Sequence, residues 1–202
     1  MRVIAGIYGS RRLDTLRGQA LRPSSDRLRE TLFNILASAG PAVSAMKDAV
    51  FIDLFAGSGA VGIEALSRGA RHAIFVENHP SGVALLRRNL KSLGIAVENG
   101  TGKFPGGAEI LLLDAVAALE LLERRGTRAD FVFSDPPYAD SKAYDAVLEA
   151  LGDSGVLLPE GKAIFEHGQR RQLPAVAGRL ERTRVTEQGD SALSFFRVVR
   201  AA

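Results

Sequence analysis

From Ala49 onward the sequence alternates short apolar runs with amphipathic stretches, and only a few chain architectures accept that pattern. Runs rich in β-branched and aromatic residues that recur between helical segments predict βαβ units and a parallel sheet. The predicted strands are 50–55, 73–76, 110–113, 130–134 and 162–165, with a short strand at 95–98. The predicted helices are 60–67, 80–93, 115–125 and 144–151. The chain ends on a predicted hairpin, 180–188 with 192–200, turning about Gly189-Asp190. Ahead of the alternation come a short strand over 2–7, a basic loop at 9–12 and a helix over 26–38, with Leu28, Leu32, Ile35 and Leu36 on one face. The domain organisation expected is an extension over 1–47 and a main domain over 48–202.

The run FVFSDPPY, Phe131 to Tyr138, carries the most chemistry. Its first half is a buried strand by composition. Pro136 and Pro137 cannot donate to a ladder, so the strand stops there in a stiff extended turn. In open α/β sheets this is the end at which ligands bind. Asp135 offers acceptor oxygens, Pro136 a free carbonyl and Tyr138 a flat ring. An exocyclic amine on an aromatic ring needs such a set. Two acceptors on its N–H groups turn the lone pair toward an electrophile and stabilise positive charge developing on nitrogen, while a stacked ring fixes the plane. A proline-rich loop with Asp135 as a helix cap is the plainer alternative.

The first strand runs into DLFAGSGAVG, where Gly57 and Gly59 permit a sharp turn and a close ligand approach before a helix N-terminus. Loops of this kind occur in nicotinamide, flavin and S-adenosylmethionine sites, and sometimes hold nothing. Acids end the following strands: Glu77 the second, suited to ribose hydroxyls; Asp114 the third, suited to an adenine amino group; Asp135 the fourth. One such acid is commonly a helix cap, whereas a rim of them has no purpose in a sheet interior.

There is no cysteine among the 202 residues, which removes disulfides and thiolate chemistry, and three scattered histidines suggest no metal site. The absence of a long apolar run or a signal-peptide pattern predicts a cytoplasmic protein off the membrane. Seven arginines fall in residues 1–30 against three acids, while the other 172 residues nearly balance. Arginine binds phosphate as a planar fork, so Arg11, Arg12, Arg22, Arg27 and Arg29 are candidate contacts to a nucleic acid.

The stretches LRPSSDRLRETLFNIL, DLFAGSGAVGIEALSRGA and DPPY together closely resemble the RsmD family, bacterial methyltransferases acting on guanine N2 of 16S ribosomal RNA. The resemblance spans nearly the whole chain. It implies an α/β Rossmann-like class I methyltransferase fold: a seven-stranded, mostly parallel sheet with helices on both faces and a terminal antiparallel strand, after a small N-terminal extension. It implies S-adenosylmethionine as methyl donor and S-adenosylhomocysteine as product. By resemblance the cofactor would meet Asp53, Phe55, Gly57, Gly59, Glu77, Asn78, Asp114, Ala115 and Asp135. The target guanine would meet Asp135, Pro136, Pro137 and Tyr138. The partner would be 16S rRNA or a small-subunit assembly particle, with no metal or membrane and a monomer by default. Asn78-His79 stands where a second acid is common, and the polar loop 99–107 is longer than expected. A DNA adenine-N6 methyltransferase, a protein glutamine-N5 methyltransferase or a catalytically inactive nucleic-acid-binding relative remain alternatives. A nicotinamide dehydrogenase is remote, since the loop lacks the G-x-G-x-x-G spacing.

Overall fold

The computed structural model describes residues 1–15, 23–38, 46–98, 107–138 and 140–199. Its elements follow the alternation. They are α1 (Pro23–Ala37), β1 (Val50–Asp53), α2 (Ala60–Ser67), β2 (His72–Val76), α3 (Pro80–Ser92), β3 (Val97–Glu98), β4 (Gly107–Leu111), α4 (Ala115–Arg124), β5 (Ala129–Ser134), α5 (Ser141–Asp153), β6 (Leu157–Gly168), β7 (Val176–Ala177), β8 (Leu180–Gln188) and β9 (Ser191–Val198).

One sheet holds all the strands, in the order β3-β4-β2-β1-β5-β6-β9-β8-β7. It has nine strands rather than the seven expected, and the surplus is two two-residue pieces, β3 and β7, on the outer edges. The run from β3 to β6 is parallel, and β9 joins β6 antiparallel. The chain leaves β1 toward β2 on one side and returns to β5 on the other, so the crevice above β1 and β5 is a topological switch point.

Two hydrophobic cores sandwich the sheet. On one face Phe51, Phe75, Phe133, Ile164 and Phe195 pack under α1, α2 and α3, together with Val3 and Leu13 from the chain start. On the other, Ile52, Ile74, Val132 and Phe165 pack under α4 and α5. The alternation of Phe51, Ile52 and Asp53 between faces is the period of two that any strand imposes. In α1, Leu28, Leu32 and Leu36 are buried as their spacing predicts and Ile35 is half-buried, but Phe33 and Arg29 are buried as well.

Three boundaries differ from expectation for identifiable reasons. Residues 2–7 form no strand; among the described residues they make one antiparallel bridge, Arg2 with Arg12. The N–H groups of Ile4 and Ala5 donate instead to the Glu64 carboxylate, at 2.7 and 3.0 Å. The next residue must be glycine, because a Cβ on Gly6 would lie 1.8 Å from the Ser67 carbonyl oxygen. The third predicted strand shifts to β4, which pairs residue for residue with β2 and stops where β2 stops, leaving Leu112 exposed. The fifth lengthens to the twelve-residue β6, because antiparallel pairing with β9 continues to Gly168. Most of the predicted loop 99–107 lies outside the described residues, with Gly107 opening β4.

Glu64 is fully buried on α2 and also accepts from Arg68 Nε at 2.7 Å, with Arg29 Nε at 4.0 Å. Breaking a buried pair strands the partner charges, which costs about 3–5 kcal/mol. Glu64→Ala is therefore expected to lower unfolding stability by about that much in urea titrations. Glu120→Ala, which removes an exposed pair with Arg124, is expected to change it by less than about 1 kcal/mol.

Candidate active site

Strand register sets a row of acids along one face of the sheet. Asp53 pairs with Phe75 on β2 and with Phe133 on β5, and Phe133 pairs with Ile164 on β6. Two residues further along those three strands stand Glu77, Asp135 and Glu166, on the same face and one step above Asp53. All four carboxylates line a single cleft of about 1130 Å³, together with Met1, Leu28 and Arg29 from the N-terminal part of the chain.

Asp53 lies at the bottom of the cleft. Its Oδ2 accepts from the Gly62 N–H at 3.1 Å, while its Oδ1 is buried with no close partner among the described residues. Burial raises its pKa to about 7, partly offset by the backbone N–H groups of Gly62 and Phe55. Gly62 has to be glycine, since a Cβ there would fall 2.3 Å from the Phe75 ring. Gly57 and Gly59 both take positive φ, 51° and 82°, and no atom lies within 4 Å of where a Gly57 Cβ would be. The loop backbone is thus bare toward the cleft.

Glu77 holds that loop in shape. Its Oε2 accepts from Gly57 N at 2.9 Å and its Oε1 from His79 N at 2.8 Å. Both oxygens are already engaged, each keeping one lone pair for a ligand. Behind the loop, Asn89 on α3 donates to the Ser58 carbonyl at 2.8 Å and exchanges hydrogen bonds with Asp14. Asp114 is the N-cap of α4, its Oδ1 accepting from Ala117 N at 3.0 Å. Asn78 and Asp114 are exposed, Phe55 half-buried and Ala115 buried, all on the cleft wall.

At the end of β5, Asp135 is half-buried and its carboxyl is raised well above the usual range. Desolvation in the cleft is the main cause, followed by Glu166 and Asp53. The Pro136 carbonyl accepts from the Tyr144 hydroxyl at 3.1 Å. That bond was invisible in the sequence, and it fixes the direction of the carbonyl while leaving its second lone pair. Pro137 is exposed. Tyr138 keeps 42% of its surface, so its ring face is open, while its hydroxyl is held by Ser191 Oγ at 2.8 Å and Glu166 Oε1 at 3.2 Å.

The basic residues separate. Arg11, Arg12 and Arg27 are exposed, whereas Arg29 is only 6% exposed. Its Nη2 donates to the Arg2 carbonyl and to Asp26. The helical period places it beside Leu28 and Leu32, against Glu64, so little guanidinium surface is left for a phosphate. Arg22 lies outside the described residues. Glu166, Tyr144, Gly62 and Asn89 were all missed in the sequence. Glu166 alone had a legible signal: it is the acid that follows the fifth predicted strand, in the same place as Glu77 and Asp135.

This sheet order, with a glycine loop after the first strand and acids at the strand ends, defines a class I methyltransferase. A family model described as Conserved hypothetical protein 95 matches residues 1–197. YlbH of Bacillus subtilis, provisionally named an rRNA methyltransferase, is 33% identical over 98% of both chains. Ribosomal RNA small subunit methyltransferase D of Escherichia coli is 34% identical over 87% of this chain and 79% of its own. The solved structure of Escherichia coli yhhF, provisionally titled a methyltransferase, superposes with a TM-score of 0.78 at 32% identity over 98% of each chain. The chain belongs to the RsmD family.

The shift at Asp53 sets a pH dependence of stability. Between about pH 4 and 7 the folded carboxyl keeps a proton that the unfolded one has released, so stability falls as pH rises through that window. Asp53→Asn stays neutral throughout. Its urea midpoint is expected to fall less from pH 4 to pH 7 than that of the wild type.

Proposed function

We propose that this protein transfers a methyl group from S-adenosylmethionine to the exocyclic N2 of a guanine in 16S rRNA. The observation that carries this reading is the convergence of Asp53, Glu77 and Asp135 with the Pro136–Tyr138 turn in one cleft. The cleft suits the donor. Asp53 presents an unpartnered buried oxygen toward which a cationic group is drawn, the bare Gly57 backbone admits close approach, and Glu77 retains acceptor capacity for a ribose. Asp114 and Ala115 would flank the adenine, with Phe55 and Asn78 on the walls. When bound there, S-adenosylmethionine supplies a methyl group already activated by its positive sulfur.

The chain's own contribution is positioning. Tyr138 stacks on a guanine that is unpaired or flipped out, at a cost of a few kcal/mol. Asp135 and the Pro136 carbonyl accept the two N2 hydrogens and aim the nitrogen lone pair into the cofactor end of the cleft. The Tyr144 hydroxyl keeps that carbonyl in place, and the rigid Pro136-Pro137 pair keeps the turn from relaxing. Asp135 need not be a strong base, since the amine loses its proton readily once methylated. Residues 1–47 act as a basic extension, with Arg11, Arg12 and Arg27 on the rRNA backbone and Arg29 held inside. The substrate is 16S rRNA or a small-subunit assembly particle, reached in the cytoplasm by a monomer. No described helix is long and apolar enough to cross a membrane.

The test is methyl transfer from labelled S-adenosylmethionine to small-subunit particles lacking the modification, with naked rRNA and DNA alongside. Label recovered as N2-methylguanine at one rRNA site is the expected result; label on DNA alone would falsify the substrate. Asp135→Ala is expected to lower turnover about 10²–10³-fold while leaving cofactor binding intact by calorimetry. Tyr138→Ala is expected to impair RNA use more than cofactor binding.

A further inference from the structure

We propose that Glu166 is a specificity-determining residue: its carboxylate accepts the N1–H of the target guanine beside Asp135, so that the site reads the base as well as its amine. This rests on the guanine-N2 reading above.

Three observations carry it. The first is register. Ser134 of β5 pairs with Phe165 of β6, so Asp135 and Glu166 are the next residues on two adjacent parallel strands and share a face. Adjacent strands lie about 4.8 Å apart, which sets the two carboxylates side by side over the cleft. The guanine edge carries N1–H next to the N2 amine, a matching row of donors. The second is incomplete satisfaction. Glu166 lines the cleft and, among the described residues, accepts one hydrogen bond, from the Tyr138 hydroxyl at 3.2 Å, whereas a carboxylate offers about four acceptor positions. A neutral side chain would serve Tyr138 equally well, and Ser191 already holds that hydroxyl at 2.8 Å.

The third is charge. Glu166 and Asp135 repel each other, and Asp53 stands below Asp135. Among the described residues the titratable groups facing Glu166 are Asp135, Tyr138, Tyr144 and, with opposite sign, the Arg29 guanidinium, which favours its ionised form. Like charges set side by side in a cleft are unfavourable unless a ligand brings donors to them. Guanine brings three N–H bonds on one edge. A purine with the same amine but an unprotonated N1 would put a lone pair against Glu166.

The measurement compares guanine with 2-aminopurine, which keeps the N2 amine and lacks the N1–H, at the target position of the rRNA substrate. Wild type is expected to prefer guanine in kcat/KM by about 10- to 100-fold, the range of one well-made base contact. Glu166→Gln, whose amide can donate or accept, is expected to bring the two substrates within about threefold, on the same constant, with cofactor affinity unchanged. Tyr138→Phe, which removes only the hydroxyl tie, is expected to keep the wild-type preference. A wild-type preference retained in Glu166→Gln, or lost equally in Tyr138→Phe, overturns the assignment. Equal use of both bases by wild type overturns it too, and leaves N2 transfer standing. No transfer to guanine at all removes the function and this inference with it. If Glu166→Gln does not fold, Glu166→Asp replaces it: a larger loss on guanine than on 2-aminopurine supports the role, and equal losses refute it.

Discussion

The near wall of the cleft depends on one buried carboxylate. Glu64 has no exposure, and it accepts from two backbone N–H groups of the chain start and from Arg68, with Arg29 beside it. A buried ion of this kind is tolerated only when donors surround it. Its demand for donors is what draws residues 4–5 out of strand geometry and onto α2. Ser67, one turn further along, repeats the device with the Ala5 carbonyl and the Tyr8 N–H. With the segment pinned, Met1 and Thr15 reach the cleft edge, and Leu28 and Leu32 of α1 close over it. The part of the chain that is most basic by composition is therefore built into the same core as the sheet rather than tethered to it.

The far wall is made by a different constraint. Proline cannot continue a ladder, so β5 must release Asp135 at a fixed height. Parallel pairing with β1 and β6 then decides which side chains share that height. Tyr144, fully buried on α5, donates to Pro136 and lies near the Glu166 carbonyl at 3.2 Å, which ties the turn to β6. Backbone stiffness at the prolines and side-chain hydrogen bonding from the opposite face of the sheet thus act on the same four residues. Such double anchoring is what a transfer reaction limited by geometry requires.

The sequence made the sheet legible because strand and helix periods are local. The helix 60–67 and the strand 180–188 were read to the residue. What escaped was set by distant partners. No local pattern says that Ile4 and Ala5 will donate to Glu64, that Arg29 will be buried against it, or that Tyr144 will reach Pro136. Asp114 illustrates the limit from the other side: it was expected directly at a strand end, but β4 stops at Leu111 and Asp114 caps α4, its bond to Ala117 occupying one oxygen regardless of any ligand. Glu166 was within reach, because the rule that drew attention to Glu77 and Asp135 applies to the strand after them. In the structure β6 runs on through Glu166 into antiparallel pairing with β9, so unlike Glu77 and Asp135 it lies within a strand rather than after one.

The electrostatics of the cleft point in one direction. Asp53, Asp135 and Glu166 all have raised pKa values, each mainly through burial, and among the described residues Arg29 contributes the opposing charge near Glu166. A protein selected for stability alone would replace such acids with neutral groups, since burying a carboxylate without donors is unfavourable. Their joint presence fits ligands that bring positive charge to Asp53 and N–H donors to Asp135 and Glu166. On the proposed reading a sulfonium-bearing donor supplies the first property and a guanine edge the second. On the proposed reading the acids that cost the fold stability are the ones a ligand's positive charge and N–H donors would favour, since a ligand that lowers a raised pKa binds the more tightly for it.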